Sequence, residues 1–211
     1  MSLCQICGKR QAKRFCPALN NKICTICCAR DRMMELACPE SCNHLQAARD
    51  TASERQGALM ARYHQTNPHV HFAVDTPHIY CVVVIQTAIA ETRRTEFLNL
   101  DDSEVLAGLK NAKKNLETAD TGLIYEHLET SPRVQALSKH IREKLDKLSD
   151  SSDDLEHISR STMLDALSLE IERVEAHLTE GGDGRAYLRF ISLFVPWEKK
   201  QHDEAKQLIV L

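Results

Sequence analysis

Aromatic residues make up only 5% of the 211-residue chain, and glycine occurs just seven times. That scarcity disfavours a turn-rich β fold and points to helices. No apolar run approaches the roughly 18 residues needed to cross a bilayer. The longest, IYCVVVI at 79–85, reads as a buried core segment. The opening MSLCQICGKR lacks the apolar stretch of a secretory signal, so the expected compartment is the cytoplasm. There is no glycine-rich phosphate loop and no nucleophile elbow. A di-iron carboxylate bundle would require Glu-x2-His pairs, and none is present. What remains is a chain with 43% hydrophobic and 27% charged residues. Those are the proportions of a globular protein with room for one ordinary domain and a small module.

The larger part reads as helices. Residues 39–65 form a helical signature, followed by a polar, histidine-bearing linker, TNPHVHFAVDT. Thr76 and Pro77 then suit an N-cap and a first helical position. The valine-rich run to about residue 94 allows a strand, but its length and polar tail favour a buried helix. Three clearer helices follow, with apolar stripes at Val105, Leu106, Leu109, Ala112 and Leu116; at Val134, Leu137, Ile141, Leu145 and Leu148; and at Leu164, Leu167, Ile171, Val174 and Leu178. Spacings of three and four give each helix one apolar face. About two heptads per helix are too few for a coiled coil, so packing within a bundle is expected. After GGDG comes a last core helix in RAYLRFISLFVPWEK. The predicted fold class is all-α, a bundle of about five to seven helices over residues 46–211. A helix from about residue 39 joins it to a module at 1–45.

That module carries the chemistry. Eight of nine cysteines, at 4, 7, 16, 24, 27, 28, 38 and 42, fall in the first 42 residues. In a reducing compartment such a cluster reads as metal ligands rather than disulfides. The groups are Cys4-x2-Cys7, Cys16, Cys24-x2-Cys27 with Cys28 adjoining, and Cys38-x3-Cys42. Four thiolates close a tetrahedral structural zinc site, so eight suit two zinc ions with no position open for water. Adjacent residues point in different directions, which lets Cys27 and Cys28 serve different ions. The preferred partition is Cys4, Cys7, Cys24 and Cys27 on one zinc, and Cys16, Cys28, Cys38 and Cys42 on the other. Exchange of Cys27 and Cys28 between the sites stays open. Cys38 is expected at the cap of a helix begun by Pro39, with Cys42 one turn on and His44 facing away. Iron–sulfur clusters also use cysteines alone, but the spacing lacks the ferredoxin run.

The stretch CQICGKRQAKRFCPALNNKICTICC resembles HIT-type and MYND-type cross-braced zinc fingers, which serve mainly protein contacts. It departs from them after Cys28, where Cys38-Pro-x2-Cys42 replaces their His-x3-Cys ending. CPALNNKICTICC with CPESCNHL, and TGLIYEHLETSPRVQAL further on, are similar to an uncharacterised bacterial family with a cysteine-rich N-terminus and a helical remainder. That resemblance implies a fold and no activity.

Other candidates read blandly. His64, His69, His71 and His78 suit a solvated linker, although His69 and His71 have chelating spacing. Asp154 and His157 fit a helix face, Tyr125-Glu126-His127 a helix edge, and Cys81 a small buried hydrophobe. Residues 1–44 hold seven basic and three acidic side chains, a surplus of four in a chain of net charge −3. Two tetrathiolate zinc sites would contribute about −4 and cancel it. A local stripe survives: Lys9, Arg10, Lys13 and Arg14, with Phe15 for stacking. The sequence thus predicts a non-enzymatic zinc-binding adaptor whose partner is another protein. Nucleic-acid binding through the stripe, and an iron–sulfur or thiol redox role, are the alternatives.

Overall fold

The structure, a computed structural model, describes residues 2–66, 77–120, 127–149, 158–179 and 182–195. It begins with a hairpin, β1 (Arg14–Cys16) and β2 (Asn21–Ile23), antiparallel with Phe15 opposite Lys22. Asn20 takes a positive φ of 48° at its turn, a conformation asparagine tolerates better than most residues. A seven-residue helix, α1 (Thr25–Asp31), follows directly. Helices α2 (Asn43–Thr66), α3 (Pro77–Thr95), α4 (Asp102–Asp120), α5 (Pro132–Ser149), α6 (Arg160–Thr179) and α7 (Ala186–Ser192) complete the order. The all-α expectation is met, with seven helices and one two-stranded sheet among the described residues. None of these helices is long and apolar enough to cross a membrane.

The valine-rich run is helical, and Pro77 opens it; Thr76 lies outside the described residues. The core is a four-helix arrangement in which α3 and α4 each pack against both α5 and α6, and α7 closes one end. The apolar stripes of α4 and α5 face inward: Val105, Leu109, Ala112, Leu137 and Ile141 are fully buried. In α6 the buried face is rotated from the expected stripe. Leu164, Ile171 and Leu178 are only partly covered, while Met163, Ala166, Leu167, Leu169 and Val174 are buried together with Glu170 and Arg173.

Burying charges is costly unless they are paired and hydrogen-bonded, and these are. Arg173 donates to Glu170, the Tyr187 hydroxyl donates to the other Glu170 oxygen at 2.5 Å, and the Gln86 amide donates at 3.2–3.3 Å. The carboxylate beside it and burial raise Tyr187 well above the usual phenol range, burial being the larger cause, so its proton stays in place to donate. A periodicity reading that counts apolar side chains cannot see this face.

One boundary is corrected. The helix expected from about residue 39 starts at Asn43. Residues 39–42 form a turn closed by Cys42 N–H donating to the Pro39 carbonyl at 2.9 Å. Cys42, not Cys38, stands at the helix start: its carbonyl accepts from Leu45 and Gln46. Proline supplies a φ suited to a turn as well as to a first helical position, and sequence alone does not separate the two.

Candidate metal centre

Two Cys-x2-Cys turns converge. In the first, Gly8 N–H donates to the Cys4 carbonyl at 2.8 Å, and Gly8 holds a φ of 62°. That left-handed position suits glycine and turns Cys4 and Cys7 toward one point. In the second, Cys24 is the N-cap of α1 and its sulfur accepts from Cys27 N–H at 3.4 Å. The result is four sulfurs, of Cys4, Cys7, Cys24 and Cys27, all within 4.8 Å of one another. Tetrahedral zinc with Zn–S of about 2.3 Å calls for S···S separations of about 3.8 Å, so the donor set suits one such ion with a small inward adjustment. The four sulfurs fill all four positions.

The four sulfurs differ in their electrostatics. Burial would raise the Cys4 thiol, but backbone N–H groups of Cys7, Cys24 and Ile6 directed at its sulfur hold it at about 6. The Lys9 and Arg10 N–H groups lower Cys7 despite its burial. Cys27 is instead pushed up to about 12 by burial and then by the sulfurs of Cys24, Cys7 and Cys4. Backbone donors thus favour thiolates at one knuckle, while crowding opposes a further negative charge at the other. A divalent ion bound there would stabilise each thiolate directly.

The next residue, Cys28, turns away. Successive residues of a helix are rotated by about 100°, so within α1 the Cys28 sulfur leaves the first group. It accepts hydrogen bonds from Arg14 Nη1 at 3.5 Å and Arg32 Nη2 at 3.6 Å. Cys16, Cys28, Cys38 and Cys42 are not gathered into a second such group among the described residues, although Cys38 feels the other three. Burial raises its thiol first, the sulfurs of Cys42, Cys16 and Cys28 raise it further, and the Met33 N–H opposes them. His44 is half-buried near Arg14 and Arg32; burial and those two cations lower its proton affinity.

Of the other candidate residues, Lys9, Arg10, Lys13 and Phe15 are exposed, while Arg14 is drawn to Cys28. Cys81 is fully buried, and burial pushes its thiol up to about 11, as suits a small core hydrophobe. His78 lies 3.4 Å from Asp165, and His127 is fixed through its backbone N–H to Asn115 Oδ1 at 2.7 Å. His69, His71, Tyr125, Glu126, Asp154 and His157 lie outside the described residues.

Sequence reasoning missed how the module is seated. Arg93 of α3, 2% exposed, donates to the Met34 carbonyl at 3.1 Å and to Glu35 at 2.6 Å. The Ser192 hydroxyl of α7 meets Met34 Sδ at 3.2 Å, and beside this seam, within the helical part, Arg49 Nε donates to the Leu193 carbonyl at 2.6 Å. No pattern in the strand or helix periodicity marks these pairings, which span 58 to 158 positions of sequence.

Compared with known protein families, curated proteins and solved structures, the chain matches none.

Proposed function

We propose that this protein is a non-enzymatic zinc-binding interaction protein. Its module, residues 1–45, is folded by structural metal and presented on the helical domain of residues 46–211. The observation that carries the reading is the convergence of Cys4, Cys7, Cys24 and Cys27, whose four sulfurs are enough to fill every position of a tetrahedral ion. A site closed in this way stabilises structure and leaves no position for substrate.

A second zinc ion is assigned to Cys16, Cys28, Cys38 and Cys42. The effect of the other three sulfurs on Cys38 supports this, and so do the two arginines in contact with Cys28. The interaction role is supported by Leu3, Phe15, Leu19 and Ile26, all exposed large apolar residues within the first 26 positions. A reducing compartment such as the cytoplasm suits free thiolates.

The test is metal content per chain on freshly purified protein, followed by partner capture. Two zinc ions in a colourless protein, with capture lost in Cys24→Ser, is the expected result. Iron with a brown absorbance would replace this reading with a redox one. One ion per chain would remove the second site and leave the first.

A nucleic-acid reading draws on one observation: exposed Phe15 shares a face of the hairpin with Lys22, close to Lys13. It requires affinity that falls steeply with salt, and no binding at low salt rejects it.

A further inference from the structure

Where the module meets the helices there is a cleft of about 530 Å³. α1 and the residue after it form one side of the cleft, with Ala29 and Arg32. α2 supplies Ala48, Ala52 and Arg55, and α6 and α7 close it with His177, Arg189 and Phe190. The volume is that of a small-molecule site. Small side chains line it where four elements approach: Ala29 of α1, Ala48 and Ala52 of α2, Ala176 of α6 and Ala186 of α7.

Its chemistry is one-sided. Arg32, Arg55 and Arg189 all line it, and among the described lining residues none is acidic. Each arginine reaches the cleft from a different element. Arg189 is steadied by Asp183, with both contacts at 2.8 Å, and Arg32 by the Cys28 sulfur. One wall is aromatic and apolar: the His177 and Phe190 rings lie 5.4 Å apart at 38°, with Leu59 and Leu193 beside them. Gln56 lines the cleft and, with its amide oxygen turned inward, accepts from Arg173 at 2.5 and 2.7 Å. This ties the cleft to the buried Glu170–Arg173 pair.

Three guanidinium groups favour an anion, bound through charge-assisted hydrogen bonds. A bare inorganic anion would use the arginines but leave the aromatic wall and most of the volume empty. We infer that the cleft binds a small organic anion of mononucleotide size, its flat body against His177 and Phe190 and its phosphate or carboxylate among Arg32, Arg55 and Arg189. The cleft adjoins the cysteine module through Arg32, which contacts the Cys28 sulfur, but its ligand needs no metal position and no identified partner.

Calorimetric titration of the metal-loaded full chain tests it, with AMP and 1-naphthoate as the phosphate and carboxylate probes. Adenosine and inorganic phosphate serve as the two halves of the first probe. At least one of the two organic anions binds, and more tightly than adenosine or phosphate does. Arg55 is exposed, so Arg55→Glu leaves the fold intact and weakens that binding at least about tenfold, the loss expected for one charge-assisted contact. Ala48→Phe, which fills the cleft without changing charge, weakens it as well. Lys139→Glu, on the exposed side of α5, leaves it unchanged. Silence of both anions at millimolar concentration overturns the inference. So does equal binding of adenosine or phosphate, or binding unaffected by Arg55→Glu and Ala48→Phe in variants with native metal content and circular dichroism.

Discussion

Single side chains decide how charge is distributed on the helical surface. Glu91 of α3 faces His140 at 3.1 Å and Lys144 at 3.0 Å on α5. Burial would raise its carboxyl, but these two partners outweigh that and hold it below the ordinary carboxylate range. An acid depressed in the folded state adds stability above its unfolded pKa, about 4.3, and that stability is lost as pH falls through the folded value. The side chain is 33% exposed, so the contribution is no more than about 1 kcal/mol. Urea midpoints of the wild type and Glu91→Gln therefore converge as pH drops from about 6 to about 3. A gap between them that stays constant over this range would show that the α3–α5 charges do not act in this way.

At the scale of elements, small residues and buried polar groups set how the helices approach. Gly108 sits in the middle of α4, where alanine would ordinarily favour the helix by about 1 kcal/mol. Here a Cβ would lie 2.8 Å from Leu137 Cδ2 and 3.1 Å from its Cγ. Leu137 is fully buried in α5 and has little room to swing aside. Gly108→Ala is expected to destabilise the protein by about 1–3 kcal/mol despite the gain in propensity, read as a lower thermal midpoint. A higher midpoint would mean that α4 and α5 are packed more loosely. The same paired helices hold the 127–129 segment: Asn111 and Asn115 donate to the His127 carbonyl at 2.8 and 3.4 Å, and Ser138 donates to Asn111 at 2.6 Å. Polar residues on these otherwise apolar faces serve to anchor backbone that has no regular partner.

For the whole molecule, the question is how firmly the module and the helices are joined. Arg93 is the main tie, since its guanidinium is buried and serves both the Met34 carbonyl and Glu35. Arg93→Ala leaves that carbonyl without its donor and is expected to cost about 2 kcal/mol. Hydrogen exchange at residues 33–36 should accelerate, and metal bound at the cysteines should leave faster to a chelator. Unchanged exchange there would assign the seating to Met34 and Ser192 instead. The apolar clusters point to a second difference in stability. Cys4, Cys16, Cys24, Cys27 and Cys28 pack with Ile23 and Leu36 in a small cluster of their own, whereas the large cluster draws mainly on α3–α7. Structural zinc is worth roughly 10–16 kcal/mol to small finger modules, and the small cluster cannot replace that. EDTA should therefore unfold residues 2–45 while most of the helical circular dichroism persists. Collapse of the helical signal together with the module would show one cooperative unit.

The sequence by itself determined the helical class, the inward stripes of α4 and α5, and the knuckle geometry of Cys4-x2-Cys7 and of the turn beginning at Cys24. These depend on local spacing, which a 3.6-residue period or a Cys-x2-Cys turn converts directly into direction. Tertiary structure alone decided the rotated face of α6, the seating of Met34 and Glu35 on Arg93, and the arginine-lined cleft. It also selected Cys27 over Cys28 to join Cys4, Cys7 and Cys24, and moved the start of α2 from Pro39 to Asn43. Each of these rests on groups distant in sequence, or on a choice between a turn and a helix that the residues allow equally. A buried charge such as Glu170 is tolerated only once Gln86, Arg173 and Tyr187 have been brought around it, and no local pattern announces that meeting.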